Sequence, residues 1–413
     1  MEKIYVLLWG PFTVGAILLC GIYHTYKTGF IQLRLKNHLG GSRKGSGKAV
    51  MSALAASMGT GNITGCAAAI CTGGAGAVFW MWISAILGMA LAYSENRLGG
   101  EYAQKYPNGA KGPMLYIEKG LGSEKLAIVY AAACLCAAMV MGCMSQTAAL
   151  SEAVCEQGLM PKWTAGIISS AAAALVIFSS EKAADAAMNA AEKLVPVMGI
   201  LYAAGCIALI ILTGSSLTEI LWKILTEAFT FKAAAGGIFG AAMSKAVSVG
   251  LRRGIFSNEA GMGSSVLVHS DAGFSTPENM GAWAALEVFL DTIVCCTLTA
   301  LAILSSGKES LSAAFTLCFG RIGGIFVCLC ICLFAWAAVL GWCCYGEKCI
   351  EYLSKGKRSL LWYKLIFCFC GASAGFFSLD FLFGLSDIIN VFLIFPNLIA
   401  VTLLTAGDCS GKR

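Results

Sequence analysis

The sequence predicts an all-α polytopic membrane fold of eleven spans, in which ten form two five-helix halves of opposite polarity and one extra helix precedes them. Three observations carry this expectation. Of the 413 residues, 58% are hydrophobic and only 13% charged, with a mean hydropathy of +0.76. Soluble domains have about 45–50% apolar and 25% charged residues. Two of the apolar runs contain similar interruptions, at Met58-Gly59-Thr60-Gly61-Asn62-Ile63-Thr64-Gly65 and at Gly254-Ile255-Phe256-Ser257-Asn258-Glu259-Ala260-Gly261-Met262-Gly263. These interrupted runs are the first and sixth of the ten later spans, and the odd offset between them reverses the membrane polarity of the second half.

At about 20 residues per span, the first apolar run occupies 4–26 and lacks a small-x-small cleavage site, so it is expected to be retained. The others fall at 49–71, 75–98, 126–150, 163–178, 194–212, 236–266, 281–304, 323–345, 360–377 and 381–405. Residues 1–48 then form the extra helix and a basic loop, 49–212 the first repeat, 213–405 the inverted second repeat and 406–413 a short tail. The 48 glycines suit helices that approach closely in a bilayer, and the 20 cysteines sit mostly inside apolar runs, without the loop spacing of a zinc site or disulfide framework.

In a soluble protein a net charge of +6 would suggest nucleic acid or acidic partners; here its distribution gives orientation. Lysine and arginine crowd residues 34–48, 97–125 and 348–364, while the opposite loops carry only Lys3, Lys162, Lys223, Lys232, Lys308 and Arg321. The N-terminus is therefore expected outside and the C-terminus in the cytoplasm, as a multi-pass protein of the cell membrane. Neither nucleic acid nor a protein partner is implied.

Unpaired backbone groups cost several kcal/mol each in hydrocarbon, so non-helical backbone persists there only beside protein or an aqueous cavity. Paired breaks in corresponding helices of inverted halves are the sequence signature of a transporter's central site. Each break exposes N–H groups at the start of its distal half, suited to a carboxylate, and carbonyls at the end of its proximal half, suited to an ammonium group or sodium ion. A zwitterionic amino acid fits this chemistry better than a sugar. The alternative reading of Asn62 and Asn258 is helix capping, of Gln146 a helix-joining hydrogen bond, and of Trp342 ordinary packing. Intramembrane carboxylates are costly, which singles out Glu259, Glu287 and Asp291. Glu287 and Asp291 share a helix face, and Arg252 or Arg253 is the expected neutralising partner in a structural or gating ion pair.

The runs Gly59-Thr60-Gly61-Asn62-Ile63, Gly76-Ala77-Val78-Phe79-Trp80-Met81-Trp82, Gly112-Pro113-Met114-Leu115-Tyr116-Ile117-Glu118-Lys119-Gly120, Arg253-Gly254-Ile255-Phe256-Ser257-Asn258-Glu259-Ala260-Gly261 and Gly341-Trp342-Cys343-Cys344-Tyr345-Gly346-Glu347 resemble the alanine or glycine:cation symporter family, as does Pro396-Asn397-Leu398. The resemblance begins at Trp9-Gly10-Pro11 and covers nearly the whole chain. It implies the five-plus-five fold of the amino acid-polyamine-organocation superfamily, with sodium-driven uptake of a small neutral amino acid, alanine or glycine. By position, Thr60, Gly61 and Asn62 would hold the substrate carboxylate, Gln146 would line the pocket, Phe256, Ser257 and Asn258 would complete it, and Trp342 would cap the side-chain space. The resemblance implies no cofactor beyond the co-transported sodium ion.

One departure bears on that ion. The family usually carries a Ser or Thr pair shortly before Gly-Trp, and this pair supplies sodium ligands in related transporters; here the stretch reads Phe334-Ala335-Trp336-Ala337-Ala338-Val339-Leu340-Gly341-Trp342. The remaining candidates are backbone oxygens around Ala55 and Met58 and at Ala335 and Ala338. Lys111-Gly112-Pro113 and the short loop after Ser305 also depart, away from the expected site. Proton coupling or exchange on the same fold, with Glu259 or Asp291 titrating, is the runner-up. An enzyme finds no clustered acid-base or metal site among His24, His38 and His269, and a channel would want rings of charge or carbonyl filters.

Overall fold

In runs this apolar, the positions where helix stops carry most of the information. The computed structural model describes residues 8–9, 11–39, 59–229, 245–270, 274–354 and 357–407, and every regular element among them is helical. The first long helix is α1 (Pro11–Lys27), followed by two four-residue helices, Ile31–Arg34 and Lys36–Leu39. Next come α2 (Thr64–Gly73), α3 (Gly76–Lys105), α4 (Pro113–Leu121), α5 (Glu124–Glu156), α6 (Lys162–Ile177), α7 (Glu181–Thr213) and α8 (Leu217–Ala228). The second half comprises α9 (Lys245–Asn258), α10 (Ser264–His269), α11 (Pro277–Ser306), α12 (Leu311–Leu353), α13 (Lys357–Ser373) and α14 (Leu379–Gly407).

Local chemistry explains most of these boundaries. Helix α4 starts with Pro113 in its first turn, where a missing N–H costs nothing, and ends at Gly122, whose φ of 68° is left-handed. Ser216, Thr276 and Ser310 cap α8, α11 and α12 by accepting from the backbone N–H three residues on. Helix α7 begins well before the expected 194–212 run, because the alanine-rich stretch 183–191 is a strong helix former. Helix α12 turns at Gly320 (φ 64°) and is two helices in geometry.

Seven of the described helices are long and apolar enough to cross a membrane: α3, α5, the Lys193–Thr213 part of α7, α11, α12, the Arg358–Phe376 stretch that takes in all of α13 but its first residue, and α14. Helices α1 and α6 are shorter, at 17 and 16 residues. The described parts of the expected 49–71 and 236–266 spans are interrupted: α2 is preceded by a single 3-10 turn, Thr60–Asn62, and α9 is separated from α10 by five residues. The rest of those two spans lies outside the described residues.

Packing joins the halves element by element. Helix α2 lies on α9, α3 on α11, α5 on α12 and α6 on α13. On α9, Gly250 and Gly254 form a small-x-x-x-small face pressed against α3; a Cβ at Gly250 would lie 2.7 Å from Trp80 Cβ and one at Gly254 would lie 3.1 Å from Ser84 Cβ. This close approach sets α9's last turn beside the first break. Both α5 and α11 contain a π-helical segment, Ala138–Met144 and Phe289–Cys296. Such widened turns shift the side chains that follow around the helix.

Candidate functional site

The first break begins at Gly59, whose backbone is extended (φ −97°, ψ −166°), tightens into the 3-10 turn and resumes as α2 at Thr64. Thr60 is fully buried and donates both its backbone N–H (2.9 Å) and its hydroxyl (2.8 Å) to Gln146 Oε1. Gln146 stands two residues beyond the π segment of α5, which orients it toward the break. Helix α12 passes the same point: a Cβ at Gly59 would lie 3.1 Å from Gln146 Oε1 and 3.4 Å from Ala338 Cβ.

The second break is shorter than the expected Gly254–Gly263. Helix α9 continues through Asn258, so Phe256, Ser257 and Asn258 occupy its last turn, and the unwinding is confined to Glu259–Gly263. Glu259 takes a left-handed φ of 56°, a conformation that favours glycine. Its carboxylate is held by Trp342 Nε1 (3.1 Å) and Ser264 Oγ (2.5 Å). Asn258 caps neither helix: its Oδ1 accepts from Ala260 N (3.1 Å) in a turn inside the break, the next helix is capped at Gly263 without a side chain, and its Nδ2 donates to Thr292 Oγ1 (3.1 Å).

The two breaks meet at Ser257. Its hydroxyl lies 2.7 Å from Asn62 Oδ1 and 2.7 Å from Asp291 Oδ2. Thr292 Oγ1 donates to the same Asp291 oxygen (2.9 Å), Cys296 Sγ to Asn62 Oδ1 (3.2 Å) and Thr299 Oγ1 to the Asn62 carbonyl (2.8 Å). A Cβ at Gly61 would lie 3.1 Å from Ser257 Cα and 3.4 Å from the Phe256 ring, so glycine is what allows this contact. Thr60, Gly61, Asn62, Gln146, Phe256, Ser257 and Asn258 are thus brought together, and Trp342 joins them through Glu259. Ala335 and Ala338 lie on the buried face of α12; Ala55 and Met58 lie outside the described residues.

The expected partnership of Arg252 or Arg253 with Glu287 and Asp291 is not formed. Arg253 is hydrogen-bonded to Asp387 of α14, and Arg252 Nη1 lies 3.8 Å from the same carboxylate. The Arg253 guanidinium also covers the Phe383 ring at 4.6 Å and the Phe256 ring at 5.4 Å. Two buried guanidinium groups require a full negative charge at contact, and Asp387, itself wholly buried, supplies it. Asp291 is engaged by hydroxyls instead. Glu287 turns to His269 Nε2 (3.1 Å), whose Nδ1 faces Asn96 Oδ1 (2.7 Å). The histidine is therefore a hydrogen-bonding partner bridging Glu287 and Asn96, and no group of three metal-ligating side chains occurs among the described residues.

Several buried polar residues around the breaks escaped the sequence reading. Asn397 Nδ2 donates to Glu95 Oε1 (2.9 Å) and to the Gly261 carbonyl (3.0 Å), while its Oδ1 accepts from Tyr116. These contacts tie α14, α3 and α4 to the second break. The rule that singled out Glu259, Glu287 and Asp291 applies equally to Glu95 and Asp387, both inside expected spans. Thr292 and Thr299 had no such signal, since hydroxyls in membrane helices are common.

A family model described as the sodium:alanine symporter family matches residues 1–409. Over 97% of this chain and 92% of its own length, an uncharacterized transporter of Haemophilus influenzae is 35% identical. A protein named sodium/alanine symporter AgcS, from Methanococcus maripaludis, is 34% identical over 96% of this chain and 92% of its own. One named probable sodium/glutamine symporter GlnT, from Bacillus subtilis, is 34% identical over 97% and 86%. Among solved structures, a manganese transporter of Eremococcus coleocola matches 89% of this chain and 86% of its own, with a TM-score of 0.52 and 13% identity. That likeness concerns the fold.

Proposed function

The chain belongs to the sodium:alanine symporter family, a membrane-transport family and not one of enzymes, and from that premise we propose that it imports a small neutral amino acid, alanine or glycine, together with sodium by alternating access. The observation that carries this reading is the direct contact of the two breaks at Asn62 and Ser257, with Gln146 closing over Thr60. In this reading the substrate carboxylate takes the place of Gln146 Oε1 on the Thr60 N–H and hydroxyl, and the second break supplies oxygens for its ammonium group. Gly59 and Gly61 sit where even a methyl group would crowd Gln146 and Ser257, a closeness that suits a small substrate. In the five-plus-five arrangement this reading adopts, residues 49–212 and 213–405 are the inverted repeats, the N-terminus is outside and the C-terminus cytoplasmic. The contacts of α2 with α9, α3 with α11, α5 with α12 and α6 with α13 support that pairing of counterparts.

Labelled alanine uptake into proteoliposomes tests the proposal, with an inward sodium gradient against matched potassium and proton gradients and with glycine and glutamine as competitors. Concentrative uptake under sodium alone, inhibited by glycine, is expected. Uptake that follows the proton gradient, or competition by glutamine as strong as by glycine, would overturn the coupling or the substrate, respectively.

A further inference from the structure

We infer that His269 and Glu287 form a proton-binding site open to the cytoplasm, and that the proton held there latches α10, the distal half of the second broken helix, to α3 and α11. Its consequence for transport rests on the function proposed above.

The placement of hydrogens leads to it. Asn96 Nδ2 donates to the Ala92 carbonyl (2.9 Å) and to Ser265 Oγ (2.8 Å). A backbone carbonyl only accepts, which fixes the amide's orientation, and Asn96 Oδ1 is the atom that faces His269 Nδ1 at 2.7 Å. Nδ1 therefore carries a hydrogen. In a neutral imidazole the other nitrogen is then a bare acceptor, yet Nε2 lies 3.1 Å from Glu287 Oε1. Two acceptors hold that distance only with a proton between them. The pair keeps one, as imidazolium beside carboxylate or as imidazole beside carboxylic acid, and either form has no net charge. His269 and Glu287 are 2% and 4% exposed, so when the proton leaves, a lone pair facing a buried carboxylate is costly and the contact opens. Access comes from one side: His269 lines a cavity of about 210 Å³ with Gln104, Lys111, Ser270 and Thr276, and the basic 97–125 stretch is cytoplasmic in the orientation proposed above.

Titratable groups on the elements packed against the pair have partners of their own. On α3, Glu95 accepts from Asn397, and Arg97 pairs with Glu101 and with Glu278 of α11. On α12, Lys348 donates to the Leu267 carbonyl and Tyr345 packs on Trp342; on α4, Tyr116 donates to Asn397. Glu259 at the second break is held by Trp342 and Ser264, Asp291 on α11 by Ser257 and Thr292, and Arg252 and Arg253 on α9 face Asp387. In the short helix Lys36–Leu39, which packs on α11, Lys36 is exposed and His38 lies beside the Tyr93 ring. Lys111 lines the cavity itself.

Helix α10 has only six residues, too few to hold its place without tertiary ties. Ser264 and Ser265 tie its start to Glu259 and Asn96, while Lys348 and His269 tie its end. Loss of the proton removes the link from that end to α11. In the proposed orientation this end lies on the cytoplasmic side of the break, so an alkaline cytoplasm favours inward opening and uptake rises with internal pH.

The test is amide hydrogen exchange over residues 264–269 of the purified full-length chain in detergent, comparing wild type with Glu287→Gln at matched pH from about 6 to about 9, a window in which imidazoles titrate. The glutamine amide gives Nε2 a hydrogen that alkali does not remove, and comparison at equal pH cancels the intrinsic pH dependence of exchange. The two proteins should match at the acidic end. At the alkaline end the wild type should exchange at least about tenfold faster, as expected for loss of a charge-assisted hydrogen bond. Equal rates at every pH overturn the site. Should Glu287→Gln fail to give a monodisperse protein, His269→Ala decides: it should exchange faster than wild type at the acidic end and match it at the alkaline end, whereas a constant ratio overturns the site. In proteoliposomes with a sodium gradient and fixed external pH, alanine uptake should rise severalfold with internal pH in the wild type and stay flat in Glu287→Gln. Wild-type uptake indifferent to internal pH overturns the latch's part in transport. Absence of alanine uptake under every gradient overturns the proposed function instead, and the exchange comparison still judges the site.

Discussion

Two aspartates of nearly equal burial, Asp291 and Asp387, are held in opposite ways. Asp387 has two guanidinium groups against it, whereas Asp291 is met by the hydroxyls of Ser257 and Thr292. Removing one partner of a buried ion pair costs about 3–5 kcal/mol because the other charge is left uncompensated. Asp387→Asn should therefore lower thermal stability in detergent by that order. Arg253→Gln should cost less, since Arg252 remains 3.8 Å from the carboxylate; equal losses in the two melting curves would show that Arg252 contributes nothing. At the first break, Gln146→Ala leaves the Thr60 N–H without its acceptor. An orphaned buried donor costs about 1–3 kcal/mol, so alanine uptake should fall about 5- to 150-fold with membrane expression intact. Normal uptake in both Gln146→Ala and Asn62→Ala would rule out the proposed cradle.

The breaks behave as elements whose shape depends on a few glycines. At Gly261 an added Cβ would meet only Leu398 at 3.7 Å and Leu91 at 3.8 Å, so space is available, but its φ of +87° is strained for any L side chain. Gly261→Ala should cost about 1–2 kcal/mol, read as a lower melting temperature. Gly142 presents the reverse case: its backbone is helical, but an added Cβ would fall on the Trp342 side chain. Trp342 is tethered to Glu259, so displacing it moves the second break. Gly142→Ala is expected to impair uptake, whereas Gly65→Ala, whose Cβ would approach only the Phe256 ring at 3.9 Å, should leave it near wild type. Equal uptake in the two variants would disconnect Trp342 from transport. The break positions were legible in advance because glycine and polar side chains in an apolar run are a local signal. Their lengths were not, since whether Gly254 starts the unwinding or packs on α3 depends on α3.

At the scale of the molecule, a zwitterion moving with sodium transfers one positive charge. Moving one charge through 100 mV is worth about 2.3 kcal/mol, so an inside-negative potential of that size should raise equilibrium accumulation by up to about 50-fold. Accumulation indifferent to a potassium-diffusion potential in proteoliposomes would argue for electroneutral exchange. The membrane class, most helix positions and both breaks could be read from the sequence, because hydropathy, alanine-rich stretches and glycine placement act through neighbours along the chain. The partners could not. Asn62 and Ser257 are 195 positions apart and Arg253 and Asp387 are 134 apart. Which of two acidic helices a pair of arginines faces follows from how α9 seats its glycines on α3 and brings Arg253 to Asp387 of α14. Only the packed helices decide these, since each contact depends on the rotation of two elements at once.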